Sequence, residues 1–504
     1  MINRLTTLML ISTSIWAADF QNGQAARAVI GQASFTALDT GIAATTLVVS
    51  DGRLYVADAT HRLLTYDLTK LPGPRDDLAD RQGTGCAVCG FSPIAVANQP
   101  VLPGIAGVSV FGKTVVAADT ANHRVLVWRD VSLPRSSQAP DIVLGRSSSD
   151  VSVSGSTLVE PVAVAFDGKR LFVADAALHR VLIWKSIPSS DNQPADAVLG
   201  QPNFTSSGPA DSAGPETIAR PVALASDGTN LFVADAQDRR ILVFTPAEIA
   251  LSTKAVLNSA SLVPGPVAPG TLITISGSGL SDTSESAPDD GVQALPRNLA
   301  GVEVVFDGLT LPLLSVSPGE IRAQMPYDFG KASGGSLYVR TEREEGGVTT
   351  TNAVPVRMEA ATPGLFAFGG NEPRIGLILH ADRDQAGRAG SPVTAEDPAK
   401  PGEVLIFWAA GLGPVNNEDG VTALIAGVPY DGPDAAVMNP VDAVVSGRSA
   451  QVVSATLPRQ AIGVYEIRIV LPPDLPSDPK TPLLIMQNGL LSNTVTIPVE
   501  NAIH

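Results

Sequence analysis

The sequence predicts an all-β chain: a β-propeller followed by two immunoglobulin-like β-sandwiches. Three observations predict it. A phrase ending in Asp recurs four times in the first half, a short apolar strand recurs beside it, and the second half is a β-branched, Gly- and Pro-rich stretch whose two parts echo each other. Composition agrees, since 46 Gly and 40 Pro with aromatics at only 5% suit short strands and turns. With 504 residues, 44% hydrophobic and 17% charged, the chain buries several cores. The expected organisation is a leader over 1–18, the propeller over 19–250, and sandwiches over 251–360 and 361–504.

The amino terminus carries one early positive charge at Arg4, an apolar run from Leu5 to Trp16, and Ala17-Ala18. That is the pattern of a secretory signal peptide, too short to span a membrane stably. No lipobox cysteine follows and no second long apolar run occurs, so an exported chain without a transmembrane segment is expected, in the periplasm, at the cell surface or outside the cell. The net charge of −16, from 34 basic and 50 acidic residues, would repel phosphates and speaks against a nucleic-acid partner.

The repeated phrase is Gly52 to Asp58, Gly112 to Asp119, Gly168 to Asp175 and Gly228 to Asp235, returning about every sixty residues. An Arg and an apolar run follow each copy: Arg62-Leu63-Leu64, Arg124-Val125-Leu126, Arg180-Val181-Leu182 and Arg240-Ile241-Leu242. Period-two alternation divides the third copy into strands over 161–166, 171–174, 180–184 and 196–199. Asp-Gly at 167–168 and 227–228 signals a tight hairpin between the first two strands. Ala28-Val29-Ile30-Gly31-Gln32 echoes the outer strand Ala197-Val198-Leu199-Gly200-Gln201, with 142–145 and 87–90 in the corresponding slots. The last repeat ends near Phe244 with no such strand after it. The strand at 27–32 is therefore expected to complete the last blade, closing a ring of four and removing its open edges.

These residues resemble the NHL repeat family, whose pattern is an apolar strand, Asp-Gly, Leu-Tyr-Val-Ala-Asp, a short loop with Asn, then Arg and an apolar strand. Asp119, Asn122 and Arg124 match it best, while Leu178 and Asp238 replace the Asn. The resemblance covers about 25–245 and implies a propeller scaffold, a fold that serves binding platforms, lyases and lactonase-like enzymes alike.

In the second half, Pro269 to Ile275 with Gly279-Leu280 is echoed by Pro401 to Phe407 with Gly411-Leu412. Each is followed by an alternating strand, 302–306 and 442–445, and each part closes on similar words, 351–356 and 492–499. Two sandwiches are the expected result. Asn258-Ser259-Ala260-Ser261, the run from Ser315 to Tyr327, Thr362-Pro363-Gly364-Leu365-Phe366 and Ala410-Gly411-Leu412-Gly413 resemble the carboxy-terminal domain family named for Solibacter, found at the ends of exported acidobacterial proteins. That resemblance implies a display, adhesion or secretion accessory and transfers no catalytic residue.

Candidate chemistry is sparse. Asp58, Arg62, Asp119, Arg124, Asp175, Arg180, Asp235 and Arg240 recur in every repeat, whereas a catalytic group is needed once, so a structural ion pair or turn brace is expected. His61, His123 and His179 stand just before the arginines in three repeats, with Arg239 in the fourth; pointing together into a central channel they would suit Zn²⁺. Cys86 and Cys89 form a lone Cys-x-x-Cys without the second pair a structural zinc needs, so a local disulfide and two free thiols both stay open. Acids at 282–290 and 382–384 lack the EF-hand spacing. No Gly-x-Ser-x-Gly elbow and no phosphate-cradling Gly-x-x-x-x-Gly-Lys occurs.

The expectation is an exported, non-enzymatic binding or adhesion scaffold. Its propeller face would engage a protein, glycan or small molecule, without a cofactor, and its sandwiches would act as spacer or attachment. The alternative is a metal-dependent propeller hydrolase or lyase, lactonase-like, with its site in the central channel.

Overall fold

The computed structural model of the chain describes residues 19–501 apart from 33, 37–41, 51, 59–61, 72–94, 99–106, 131–138, 146–151, 289–290, 330–331, 382–389 and 417–423. The leader over 1–18, His61, Cys86, Cys89 and the acids at 382–384 lie outside the described residues, and Asp58 and Arg62 are described by their backbone alone.

The described chain is all-β: no α-helix occurs in it, and short 3₁₀ turns such as Thr120–Asn122 and Ala176–Leu178 interrupt the strands. No helix among the described residues is long and apolar enough to cross a membrane. The first half forms four antiparallel sheets of four strands. Strand β1 (Ala28–Ile30) is set apart from its neighbours in sequence. The first sheet is β2 (Ala44–Ser50), β3 (Arg53–Asp58), β4 (Arg62–Asp67) and β5 (Ala95–Asn98); the second is β6 (Val108–Phe111), β7 (Thr114–Asp119), β8 (Arg124–Trp128) and β9 (Ile142–Leu144). The third is β10 (Pro161–Phe166), β11 (Leu171–Asp175), β12 (Arg180–Trp184) and β13 (Ala197–Leu199). In the fourth, β14 (Pro221–Ser226), β15 (Leu231–Asp235) and β16 (Arg240–Phe244) are followed in space by β1, which pairs antiparallel with β16 through Ala28–Val243 and Ile30–Ile241.

Two local details differ from the sequence reading. The outer position of the first sheet is filled by β5, whose Ala97 pairs with Leu63 in the backbone register, while the stretch 87–90 expected there lies outside the described residues. Ala95-Val96-Ala97 is as apolar as the expected strand but lacks the Gly that ends its counterparts, which hid it. The Asp-Gly hairpins are four-residue connections, because Phe166 pairs with Leu171 and Ser226 with Leu231. The Asp side chain makes the longer turn stable: Asp167 Oδ1 accepts the N–H groups of Lys169 and Arg170 at 2.9 and 2.6 Å, and Asp227 does the same for Thr229 and Asn230.

Strands β11, β12, β15 and β16 are buried on both faces, which explains their near-continuous apolar runs. Apolar cores fill the space between successive sheets. Val116 and Val127 meet Leu171 and Leu182 between the second and third, Phe172 and Ile183 meet Leu224 and Val233 between the third and fourth, and Phe232 and Ile241 meet Leu54 and Val56 between the fourth and first.

In the second half, one five-stranded sheet contains Leu272–Ser276 and Glu320–Gln324, and another contains Val302–Phe306 and Gly334–Glu342. Ile273, Ile321 and Ala323 share a core with Val304, Phe306 and Leu337. From Gly364 to Val499 the strands form one hydrogen-bonded network of eleven. Its ten-residue strands Arg448–Leu457 and Asp478–Gln487 carry register shifts at Val452/Ser454 and Asp478/Thr481. Bulges of this kind bend a strand, and the network curls around one core.

The joints between the parts are built from hydrogen bonds. Asn352 accepts from Leu251 N–H at 2.6 Å and donates to Leu251 C=O at 3.1 Å, beside a β-bridge between Ile249 and Thr351. Further on, Asn258 Nδ2 donates to Thr362 C=O at 2.9 Å, Arg374 donates to the carbonyls of Ala260 and Ser261, and Gly427 N–H donates to Gln324 Oε1 at 2.6 Å. The words that carried the second resemblance thus meet at one place, the joint between the two carboxy-terminal units.

Candidate binding site

Each Asp of the repeat ends the second strand of its sheet and each Arg begins the third, directly opposite it across the connection: Asp58 with Arg62, Asp119 with Arg124, Asp175 with Arg180, Asp235 with Arg240. The same backbone register serves different surroundings. Asp119 and Arg124 are partly exposed and bonded at 2.8 Å, and the bonds from Arg124 and Asn122 hold the Asp119 carboxyl below its usual value.

Asp175 and Arg180 are wholly buried, with Nε 3.8 Å from Oδ2. Asp175 accepts instead from Glu160 N–H at 2.8 Å and Val159 N–H at 3.2 Å, while Arg180 donates to the carbonyls of Thr157, Ser154 and Phe204. Burial raises the Asp175 carboxyl and lowers the Arg180 guanidinium. Asp235 and Arg240 repeat the arrangement with a true bond at 3.1 Å; Asp235 accepts from Ala219 and Arg220, and Arg240 donates to Gly214, Thr217 and Phe35 and to the Asp238 carboxylate. These charges are spent chiefly on backbone groups of the loop that leads into the first strand of their sheet, and the two arginines also reach carbonyls just beyond the outer strand, at Phe204 and Phe35.

His123 and His179 do not converge. Each is the left-handed residue that ends a 3₁₀ turn, at φ 55° and 52°, and Arg239 takes the same conformation in the fourth sheet. The ring Nδ1 of His123 meets the carbonyl of Val159 at 2.5 Å, and that of His179 meets the carbonyl of Ala219. Each histidine therefore holds the loop of the following sheet, the loop whose N–H groups are bound by that sheet's own Asp. Among the described residues no group of three or more His, Cys, Asp or Glu side chains stands in metal-holding geometry. Asp282, the first acid of the 282–290 cluster, braces a loop by accepting from Arg343 and from Glu344 N–H, bonds that keep its carboxyl low.

Two contributors escape a reading of the sequence. Gln201 donates to the carbonyls of Leu178, His179 and Gly208, and Gln32 reaches those of Asp238 and Arg239 in the fourth sheet. Gly200, at φ 84°, approaches so closely that a Cβ would lie 2.7 Å from the His179 carbonyl. The echo between 28–32 and 197–201 was visible; that its Gly-Gln end clamps the left-handed turn was not, because the contact is non-local. The second is Arg170, which lies against the rings of Phe20 and Phe172 and donates to Gly228 C=O at 2.7 Å.

The first strands of the four sheets, β2, β6, β10 and β14, surround a cavity of about 820 Å³. Its walls on β10 and β14 are small or buried, as at Ala165 and Ala225. On β2 and β6 they carry Val48, Val108, Val110 and Phe111, large apolar side chains that are 49–61% exposed. Phe111 stacks edge-on against Phe166 with centroids 6.0 Å apart.

No family model matches this chain, and no curated protein matches it. Among solved structures it is similar to the computationally designed Ika4 protein, at 12% identity over 42% of this chain and 98% of that one, with a TM-score of 0.18. It is also similar to SGBP-B of the Bacteroides ovatus mixed-linkage glucan utilization locus, at 13% identity over 47% of this chain and 45% of that one, with a TM-score of 0.20. A third is the Myxococcus xanthus glutaminyl cyclase, at 10% identity over 43% of this chain and 94% of that one, with a TM-score of 0.18. Similarity at these scores carries no inference about function.

Proposed function

We propose that the chain is an exported binding scaffold. In this reading the four sheets are blades of an NHL-like β-propeller whose amino-terminal strand joins the last blade, and the second half is a pair of immunoglobulin-like units serving attachment. The ligand is held at the propeller, and no covalent chemistry is performed on it. One contrast carries the proposal: the charged residues of the third and fourth repeats are consumed in bracing loops, while exposed apolar side chains gather in the cavity between the four first strands. Concave sites of this size, in which apolar side chains stand among a few polar groups, are where small molecules bind.

The test is a thermal-shift screen of the purified chain against glycans and small molecules, run beside turnover assays on lactones and esters and metal analysis before and after chelation. Ligands that raise the melting temperature without turnover support the scaffold. Stoichiometric metal with turnover lost in His123→Ala and His179→Ala would instead establish the metal-dependent hydrolase.

A further inference from the structure

The polar side chains that line the cavity leave little for a ligand to bond. Ser109 Oγ accepts Phe166 N–H at 3.0 Å, and Ser226 Oγ accepts Gly228 N–H at 3.1 Å and donates to Asn230 C=O at 3.0 Å. Thr69 Oγ1 donates to Asp67 at 2.5 Å. Asp167 is held by its own turn and by Arg170, and Asp227 by Thr229, Asn230 and the Asn230 side chain. Among the described residues no Lys, Arg or His lines the cavity. An anionic ligand entering here would lose water and find no opposite charge among the described lining residues, and a cationic one would find only the carboxylates of Asp167 and Asp227, already bonded within their own turns, which makes both unfavourable. An apolar one would cover Val48, Val108, Val110 and Phe111, the side chains the fold leaves in water.

We infer that the cavity takes an uncharged, apolar small molecule, gripped by the β2 and β6 walls. This rests on the binding-scaffold reading and narrows it to one chemical class. Burial of apolar surface drives the association, with shape and not hydrogen bonding setting the preference. The acidic chain adds a bias against anions, since its net charge is −16.

The probe is Nile red, neutral and apolar, titrated into the full chain by fluorescence, with the anionic dye ANS as comparison. Nile red is expected to bind saturably at one site, and ANS at least about tenfold more weakly. Val110→Asp places a charge in the wall and Val48→Trp fills the space with an apolar group; both sites are about half exposed, so the fold should survive, as circular dichroism would verify. Each variant is expected to weaken Nile red at least about tenfold, while Leu491→Asp, at an exposed apolar site in the second half, leaves it unchanged. Non-saturable Nile red, equal binding in the folded cavity variants, or tighter ANS would each overturn the inference. A glycan that stabilises the chain while Nile red fails would remove the apolar class and leave the scaffold standing.

Discussion

Arg240 donates from Nη1 to the carbonyl oxygen of Phe35 at 2.7 Å, across 205 residues of sequence. The bond ties the start of β16 to the segment just beyond β1, and so secures the strand pairing that joins the amino terminus to the fourth sheet. Arg240 is wholly buried, and its other partners are the carbonyls of Gly214 and Thr217 and the carboxylates of Asp235 and Asp238. Burial, then the neighbouring Asp235, raises the Asp238 carboxyl, so Arg240 is what makes this acidic pocket tolerable.

Arg240→Ala leaves two acids and three carbonyls without their donor and is expected to cost about 3–5 kcal/mol, the usual penalty for breaking a buried pair. Arg124→Ala at the equivalent place in the second sheet should cost less than about 1 kcal/mol, because that pair is partly solvated. Urea unfolding of both variants measures the contrast. Similar losses would mean that the repeat register, and not burial, sets the value of the pair.

His179→Ala removes the link from the third sheet to the Ala219 carbonyl and is expected to cost about 1 kcal/mol. His179→Gly loses the same bond but relieves a left-handed backbone at φ 52°, so it should melt above His179→Ala. Zinc is expected to leave the melting temperature of the wild type unchanged. A zinc-dependent rise that disappears in His179→Ala would restore the metal reading of the histidines.

The repeat was legible because its period, its Asp and Arg, and its apolar runs are local. The same is true of β1, whose five-residue echo of 197–201 announced its place beside β16. The roles of His123, His179, Gln32 and Gln201 were not, since each acts on a carbonyl of a distant loop and nothing in a ring nitrogen or an amide says which. The cavity was hidden for a related reason. Val110 and Phe111 look like ordinary strand residues, and only the arrangement of the sheets leaves them uncovered. In the second half the alternating strands were readable, but the register shifts that bend the long strands have no signature as strong as a glycine or proline.

Asp307 provides a pH-dependence. It sits at φ 48° in the connection after Val302–Phe306, accepts Ser336 N–H at 2.7 Å, and is pushed by burial up to about 7. Between the ordinary carboxyl value of 3.8 and about 7 the folded protein keeps this proton while the unfolded chain releases it. The folded state binds more protons, so this group's contribution to stability falls as pH rises through that window and levels off above it. The full change is on the order of 4 kcal/mol. Asp307→Asn keeps the acceptor and tolerates the left-handed backbone, and is expected to flatten the decline and to be the more stable protein at pH 8. Unfolding free energies at pH 5 and pH 8 decide it; parallel curves for the two proteins would show that Asp307 is not the titrating group.

The joint between the carboxy-terminal units yields the sharpest contrast between two glycines of similar backbone. Gly411 and Gly402 lie at φ 79° and 81°. A Cβ on Gly411 would stand 2.2 Å from the Thr362 carbonyl and 3.0 Å from Asn258 Nδ2, whereas one on Gly402 meets nothing within 4 Å. Both substitutions to Ala carry the left-handed penalty of about 1 kcal/mol. Only Gly411→Ala must also push apart the Thr362 N–H to Gly411 C=O bond of 2.7 Å and the Asn258 to Thr362 bond beside it. Overpacking adds about 1–3 kcal/mol, for an expected total of about 2–4 kcal/mol. Since the loss falls on the joint, Gly411→Ala should also expose the segment around 360–363 to limited proteolysis, while Gly402→Ala leaves the digestion pattern unchanged. Matching stabilities and cleavage patterns in the two variants would mean that the two units do not depend on this contact to stay together.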